Sequence, residues 1–274
     1  MKTRIITAVV LLPLLLLVVL LAPKVMTAIL FGAMAAIAAY ELLYGTKLVR
    51  QTRLVIYAMV MAFATAIWGY CGAPHVFAVL GVVIFTALLF GEMMAAHTTL
   101  PFDKICMCFA AGIVVPYLLS SVVRIHVMES GRHFILIPFV LAMLSDTGAY
   151  FAGRAFGKKK LAPIISPKKT VEGVVGGVLS AVAGMLIYTL ILGSLFSFHV
   201  NYGYAVVYGI LGSAAGVFGD LCFSVVKRQT GIKDYGNLFP GHGGILDRFD
   251  STILVGPVVE FLLLTLPVAV QVYG

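Results

Sequence analysis

The chain has 274 residues, of which 61% are hydrophobic and 11% charged, and its mean hydropathy is +1.07. Because soluble globular proteins are far more polar, this composition excludes that class and predicts an integral membrane protein. The formal net charge is +8, but the basic residues lie in short loops beside apolar runs. This placement favours anionic headgroups or a phosphorylated substrate as partners, and not nucleic acid.

Nine apolar runs are long enough to cross a bilayer core, which takes roughly 20 residues as a helix. The strands of a barrel would alternate in polarity, so these unbroken runs predict an all-α polytopic bundle of about nine transmembrane helices. The first run lacks an A-x-A cleavage site, and we therefore expect an uncleaved helix and not a signal peptide. The runs cover residues 5–22, 25–44, 54–70, 74–93, 105–123, 134–153, 174–195, 203–223 and 252–271.

The basic residues predict an orientation, because Lys and Arg are retained on the cytoplasmic side of a membrane. With nine helices, sixteen of the nineteen basic residues fall on one face, and only Lys24, Arg124 and Arg132 fall on the other. We therefore expect a multi-pass protein of the inner (cytoplasmic) membrane. Its N-terminus and long loops would lie in the cytoplasm and its C-terminus outside.

The chain changes in character near residue 123. Residues 1–123 contain five of the apolar runs, with short loops and few internal polar groups, and are predicted to form a transmembrane scaffold. In residues 124–274 the loops lengthen and charges enter the helices. We expect this second part to carry the chemistry.

Two carboxylates lie within apolar runs, where a charge is costly and usually faces a partner, a cavity or a metal. These are Asp146 and Asp220, and a structural pair with a basic residue is the alternative for each. If the eighth helix continues past the membrane surface, Asp220, Ser224 and Lys227 lie on one stripe of it. Such a stripe would form one wall of a cytoplasm-facing polar cavity.

A second pair of carboxylates, Asp247 and Asp250, stands three residues apart at the predicted start of the ninth helix. This spacing puts both side chains on one face of that helix. Acidic residues in a first helical turn also complement the helix dipole, which is the alternative explanation.

The segment FPGHGGIL holds Gly241, Gly243 and Gly244 around His242. Its backbone can approach a ligand closely and direct N–H groups at an anion, although a tight re-entrant turn also needs glycines. Combined with nearby basic residues, it predicts a phosphate cradle. Carboxylates beside such a cradle indicate magnesium-dependent phosphoryl or nucleotidyl transfer. The basic residues are Lys227, Arg228, Lys233 and Arg248.

The loop between the sixth and seventh runs contains two lysine groups. Ser166 and Pro167 predict a helix start, which would put Lys168 and Lys169 at a helix N-terminus, where anions bind. We expect these two lysines to bind phosphate. The run 158–160, three lysines, is attributed to membrane topology.

Residues 224–250, SVVKRQTGIKDYGNLFPGHGGILDRFD, resemble the signature of the phosphatidate cytidylyltransferases, or CDP-diacylglycerol synthases. The stretches SDTGAYFAGRAFGKKKL and SPKKTVEG are also similar to this family, so the resemblance covers about residues 140–255. It implies transfer of CMP from CTP to phosphatidic acid, with release of pyrophosphate. It also implies a homodimer among membrane lipids that uses Mg²⁺, and it leaves open a second cation such as K⁺.

The resemblance also implies roles for individual residues. The phosphate of phosphatidic acid would attack the α-phosphorus of CTP while a metal held by Asp220 and Asp247 neutralises charge. Asp146 would complete a second cation site or contact the nucleotide. The expected catalytic residues are Asp220, Lys227, Asp247, Arg248 and Asp250. The expected substrate-binding residues are Asp146, Lys168, Lys169, Ser224, Arg228, Lys233, Gly241, His242, Gly243 and Gly244.

Two other functions are alternatives. A transporter or lipid flippase would use the intramembrane carboxylates to carry ions, but its halves should share a hydropathy pattern, and here the charged helices lie in one half. A CTP-dependent lipid kinase would release CDP in place of pyrophosphate. The products formed from CTP separate all three functions.

Overall fold

The computed structural model describes residues 13, 15–72, 75–239, 241 and 243–271. In these ranges seven helices are long and apolar enough to cross a membrane, and they confirm the all-α polytopic membrane protein. Half of the predicted first helix, residues 5–12 and 14 of 5–22, lies outside the described residues, and residues 15–21 are helical. The seven spans are Lys24–Gly45, Thr52–Cys71, His75–Ala95, Phe102–Val127, Gly131–Phe156, Val171–Leu195 and Tyr202–Thr230.

The elements are numbered in chain order from the first span. Two π-helical turns, Glu41–Gly45 and Ala110–Val114, continue α1 and α4 respectively. The helices and strands are α1 (Lys24–Tyr40), α2 (Thr52–Cys71), α3 (His75–Ala95), α4 (Phe102–Phe109), α5 (Val115–Leu119), α6 (Ser121–Val127), α7 (Gly131–Phe134), α8 (Ile137–Phe156), β1 (Lys160–Ala162), β2 (Ser166–Thr170), α9 (Val171–Leu195), β3 (Phe198–Val200), α10 (Tyr202–Thr230), α11 (Ile245–Phe249), α12 (Thr252–Thr265) and β4 (Ala269–Gln271).

The last apolar run is a shorter helix than predicted. Helix α12 has 14 residues and ends at Thr265, and β4 follows it, so the prediction of a helix to residue 271 is wrong. Leu266 leaves the helical region with φ −134° and ψ 69°. The next residue is Pro267, whose ring disfavours a helical conformation in the residue before it.

The chain divides into two compact units, each of which is built from two separate stretches of the sequence. The first unit runs to Val127 and also contains Gln229–Phe249, whereas the second contains Met128–Arg228 and the chain from Asp250 onward. The functional division into residues 1–123 and 124–274 stays a prediction. In the folded chain, however, most of the glycine-rich signature belongs to the unit built from the N-terminal helices.

In the first unit, α1 and α2 pack through small residues. Such residues allow helix backbones to approach closely in lipid, where apolar side chains gain little by leaving the bilayer. At the start of α1, the Lys24 ammonium donates to the Val127 carbonyl over 3.3 Å. At the start of α2, Arg53 contacts Glu92 over 3.4 Å. These contacts join ends that alternating topology puts on one face. The buried small residues are Ala28, Ala35, Ala38, Ala58, Ala62 and Ala66.

In the second unit, α8 and α9 lie so close that a Cβ on Gly148 would approach the Ser180 Cβ within 2.5 Å. Two small antiparallel sheets cap this unit, β1 with β2 and β3 with β4. Inside it, the hydroxyls of Ser145 and Ser213 share a buried hydrogen bond of 2.6 Å.

The predicted helix start at Ser166 and Pro167 is wrong. Residues Ser166–Thr170 form β2 and pair with β1, and helix α9 begins only at Val171. Thr170 is the residue that caps α9, because its hydroxyl accepts a hydrogen bond of 3.1 Å from the Gly173 N–H. The two lysines before it, 168 and 169, therefore lie on a strand and not at a helix N-terminus.

Candidate active site

The charged stripe of α10 forms as predicted, because this helix runs unbroken from Tyr202 to Thr230. One carboxylate oxygen of Asp220 accepts a hydrogen bond of 3.0 Å from the Ser224 hydroxyl. The other lies 2.6 Å from the Lys169 ammonium. Both oxygens of this carboxylate are therefore held by side chains.

A glycine before Asp220 lets another segment of the second unit approach it. A Cβ on Gly219 would lie 2.6 Å from the Asp250 carbonyl oxygen and 3.4 Å from the Ser251 Cα. Only a residue without a side chain permits this distance. The turn at residues 250–251 consequently packs directly against α10, beside Asp220.

The pKa of the Asp250 carboxyl is raised to about 7. Burial away from water is the main cause, and the negative charges of Asp220 and Asp146 add to it. The Ser251 N–H and the Lys227 ammonium act in the opposite direction. The second unit thus brings Asp146, Asp220, Asp250 and Lys227 within electrostatic range of one another.

The strand β2 separates the two lysines that we expected to act alike. Lys169 is mostly buried against Asp220, whereas its neighbour Lys168 is exposed. Successive side chains of a strand point to opposite faces, which accounts for the difference.

The β1–β2 hairpin is fixed at two points. Arg228, predicted to bind substrate, donates from Nε to the Ile165 carbonyl over 3.1 Å. The Glu172 carboxylate accepts the backbone N–H groups of Lys158 and Lys159, over 3.0 and 3.2 Å. These bonds attach the hairpin, and with it Lys169, to α9 and α10.

Asp247 lies in the first unit and has different partners. Its Oδ2 accepts the Tyr235 N–H over 2.7 Å and the Gly244 N–H over 3.0 Å, and the side chain is buried. Gly243 has φ +87°, and a Cβ on it would lie 2.6 Å from the same oxygen. This carboxylate therefore closes a loop between residues 235 and 247.

The prediction that Asp247 and Asp250 share one helical face is wrong. Asp247 is in α11, which ends at Phe249, and α12 starts at Thr252. Asp250 accepts a hydrogen bond of 2.9 Å from the Ser251 N–H, a local bond that competes with continuation of a helix. The two aspartates belong to different compact units and have different surroundings.

A buried carboxylate in the first half of the chain has no place in the sequence-based prediction. Glu41, at the end of α1, is 3% exposed and accepts the N–H groups of Ile245 and Leu246 over 3.0 and 2.9 Å. Its signal in the sequence is a single acid within an apolar run, the same signal that identified Asp146 and Asp220.

The remaining predicted residues lie in or beside the same segments. Lys233 and Arg248 are exposed, and Gly241 has φ +77°. His242 lies outside the described residues. Across the described ranges, no three His, Cys, Asp or Glu side chains are grouped so that they could hold one metal ion.

Comparison with known proteins supports the resemblance seen in the sequence. The profile of the cytidylyltransferase family matches residues 2–266. A phosphatidate cytidylyltransferase of Bacillus subtilis is 34% identical over 96% of this chain and 97% of its own length.

Staphylococcal proteins of the same name match a shorter segment. Those of Staphylococcus saprophyticus and Staphylococcus haemolyticus are 46% and 44% identical over 136 residues, which is 50% of this chain. The matched segment spans about half, 51%, of the length of these two relatives. By the match over nearly its whole length, the chain belongs to the cytidylyltransferase family.

Proposed function

We propose that the chain is a phosphatidate cytidylyltransferase, which transfers CMP from CTP to phosphatidic acid and gives CDP-diacylglycerol and pyrophosphate. One observation carries this proposal: the Asp220 carboxylate is paired with the Lys169 ammonium at 2.6 Å, on the helix that leads into the family signature. A carboxylate and an ammonium in contact can separate to take a cation and a phosphate oxygen respectively.

The reaction is a displacement at phosphorus. An oxygen of the lipid phosphate forms a bond to the α-phosphorus of CTP, and the bond from that phosphorus to the α–β bridging oxygen breaks. Pyrophosphate leaves with the electron pair of the broken bond. No general base is needed, because a phosphate monoester is largely ionised at neutral pH.

Basic residues of the site would hold the phosphate oxygens and stabilise their charge. Lys169 and Lys227 lie beside the carboxylates of the second unit, and Arg248 is exposed on the loop. In this proposal, the loop N–H groups around Gly241 and Gly243 also face phosphate. Ser224 orients the Asp220 carboxylate. Lys168, Arg228, Lys233, His242 and Gly244 complete the proposed binding set.

The donor chemistry of the site fits Mg²⁺, which prefers one or two carboxylates together with substrate phosphates. Asp146 and Asp220 would supply carboxylate oxygens, and the role of Asp247 as a further ligand stays a prediction from the sequence. When bound, the ion would neutralise charge on the transferring phosphoryl group. A second cation such as K⁺ is part of the same proposal.

We also propose a homodimer in the inner membrane, with a polar cavity open to the cytoplasm. The charge asymmetry of the loops supports a cytoplasmic N-terminus and an external C-terminus. The Arg53–Glu92 pair supports the assignment of residues 53 and 92 to one face. CTP is a cytosolic substrate, and phosphatidic acid would enter sideways from the surrounding lipid.

The products formed from CTP test the proposal. The purified protein in lipid nanodiscs is given CTP, Mg²⁺ and phosphatidic acid, and pyrophosphate, CDP and CDP-diacylglycerol are measured. We expect pyrophosphate and CDP-diacylglycerol in equal amounts, no CDP, and loss of turnover on chelation with EDTA. Release of CDP would instead identify a lipid kinase, and no product from CTP at all would favour a transporter.

A further inference from the structure

We infer that Glu41 is a positioning residue for the signature loop, defined here as residues 235–249. Its effect on the loop concerns contacts within the first unit. Its effect on turnover rests on the proposed function. Glu41 is not part of the signature and lies in the part of the chain predicted to be only a scaffold.

The inference rests first on hydrogen bonds at the start of α11. Three successive N–H groups, those of residues 244, 245 and 246, begin α11, where a helix has no internal partners for them. Asp247 accepts the first, and Glu41 accepts the other two with one oxygen each, over 3.0 and 2.9 Å. A carboxylate is the best acceptor at this place, because the start of a helix carries partial positive charge. Glu41 therefore fixes the start of α11.

The π-helical turn Glu41–Gly45 also packs closely against the loop. A Cβ on Gly236 would lie 2.5 Å from Glu41 Oε1, and one on Gly244 would overlap the same carboxyl group. Similarly, a Cβ on Gly45 would overlap the Tyr235 carbonyl oxygen. The π-helical turn from Glu41 to Gly45 thus contacts the loop at both ends, through the Glu41 side chain and the Gly45 backbone.

Helix α11 is buried except at one residue. Its residues 245, 246, 247 and 249 are buried, and Arg248 alone is exposed. The direction of the Arg248 side chain consequently depends on how α11 is held. Misplacement of a binding group by about 1 Å can cost roughly 100-fold in rate. Through α11, Glu41 would set the position of a residue proposed to hold phosphate.

The test is Glu41→Gln, which keeps the size of the side chain. One oxygen acceptor becomes an NH₂ group that faces a backbone N–H, so at least one loop bond is lost. The matched control is Glu92→Gln, also in the first unit, where the carboxylate meets the side chains of Tyr57 and Arg53.

Two measurements are made on the full chain in nanodiscs. In Glu41→Gln we expect amide hydrogen exchange in residues 235–249 to rise roughly tenfold, with α8 and α9 unchanged. We also expect kcat/KM for CTP to fall roughly 10- to 100-fold. In Glu92→Gln both should stay at the wild-type values. A general loss of stability would raise exchange in both units and would overturn the inference, as would unchanged loop exchange.

The outcome is separable from that of the proposed function. If the wild-type protein forms no CDP-diacylglycerol, the proposed function fails, and the exchange experiment still tests the contact. If Glu41→Gln does not fold, Gly236→Ala replaces it, because the added methyl group would displace the Glu41 carboxylate while keeping its charge. Unchanged loop exchange and turnover in Gly236→Ala would then overturn the inference.

Discussion

Glu41 and Asp247 of the first unit differ from Asp220 of the second in the kind of partner that each carboxylate has. In the first, Glu41 and Asp247 accept backbone N–H groups, two each. In the second, Asp220 meets the side chains of Lys169 and Ser224. A carboxylate bound to backbone fixes a chain segment, whereas one bound to side chains can exchange those partners for a ligand.

This difference divides the expected effects of substitution. Loss of a backbone-bound acid leaves buried N–H groups without an acceptor, which costs about 1–3 kcal/mol for each group. Loss of an acid that binds side chains changes the charge of the site and leaves the backbone hydrogen bonds intact. We therefore expect the first kind of substitution to change structure and the second to change chemistry.

The largest expected effect is that of Asp220→Asn. The amide is the same size but cannot neutralise Lys169 or bind a divalent cation well, so we expect kcat to fall roughly 100-fold or more. The melting temperature should change little, because no backbone hydrogen bond is lost. Product formation and thermal melting of the purified variant check this, with Asp103→Asn as the matched control, since Asp103 is exposed and accepts its neighbour's N–H. Near-normal turnover in Asp220→Asn would contradict the assigned role.

The next effect separates adjacent lysines. Lys169→Met removes an ammonium that lies 2.6 Å from Asp220, and we expect kcat/KM to fall roughly 10- to 100-fold, as for the loss of a hydrogen bond between charged groups. Lys168→Met removes an exposed ammonium of the proposed binding set, on the other face of the strand, and we expect a smaller fall because no ion pair with Asp220 is broken. Equal effects of the two variants, measured by initial rates at several CTP concentrations, would show that strand alternation does not decide the role.

Local patterns in the sequence predicted what local geometry decides. Asp220 and Ser224 fall on one stripe because a helix repeats every 3.6 residues, whatever surrounds it. The strand at Ser166 could not be predicted in this way, because it forms by pairing with β1, and a serine before a proline also fits a helix start. The position of Glu41 could not be predicted either, since its partners, Ile245 and Leu246, lie 204 and 205 residues away.

A smaller effect is expected from alanine substitutions at two glycines of the first unit. Gly243 and Gly231 both have positive φ, +87° and +70°. Alanine at Gly243 would also meet the Asp247 carboxylate, whereas no atom of the described residues lies within 4 Å of a Cβ on Gly231. We expect Gly243→Ala to lower kcat roughly tenfold and Gly231→Ala to cost only the backbone strain, about 1–2 kcal/mol in stability. Turnover and melting of the two variants, measured together, separate contact with Asp247 from strain; equal turnover would contradict the contact.

The smallest expected effect lies in the second unit and concerns a backbone N–H held by a hydroxyl. Thr170→Val keeps the shape of the side chain and removes the acceptor for the Gly173 N–H, which should lower stability by about 1 kcal/mol and the melting temperature by roughly 2–4 °C. Thr189→Val is the matched control, because the buried Thr189 hydroxyl donates to carbonyls of its own helix and caps no N–H among the described residues. A melting temperature that falls equally in both variants would show that the start of α9 does not depend on this cap. A selective fall would instead show that a side-chain oxygen fixes the backbone where β2 gives way to α9, one residue beyond Lys169.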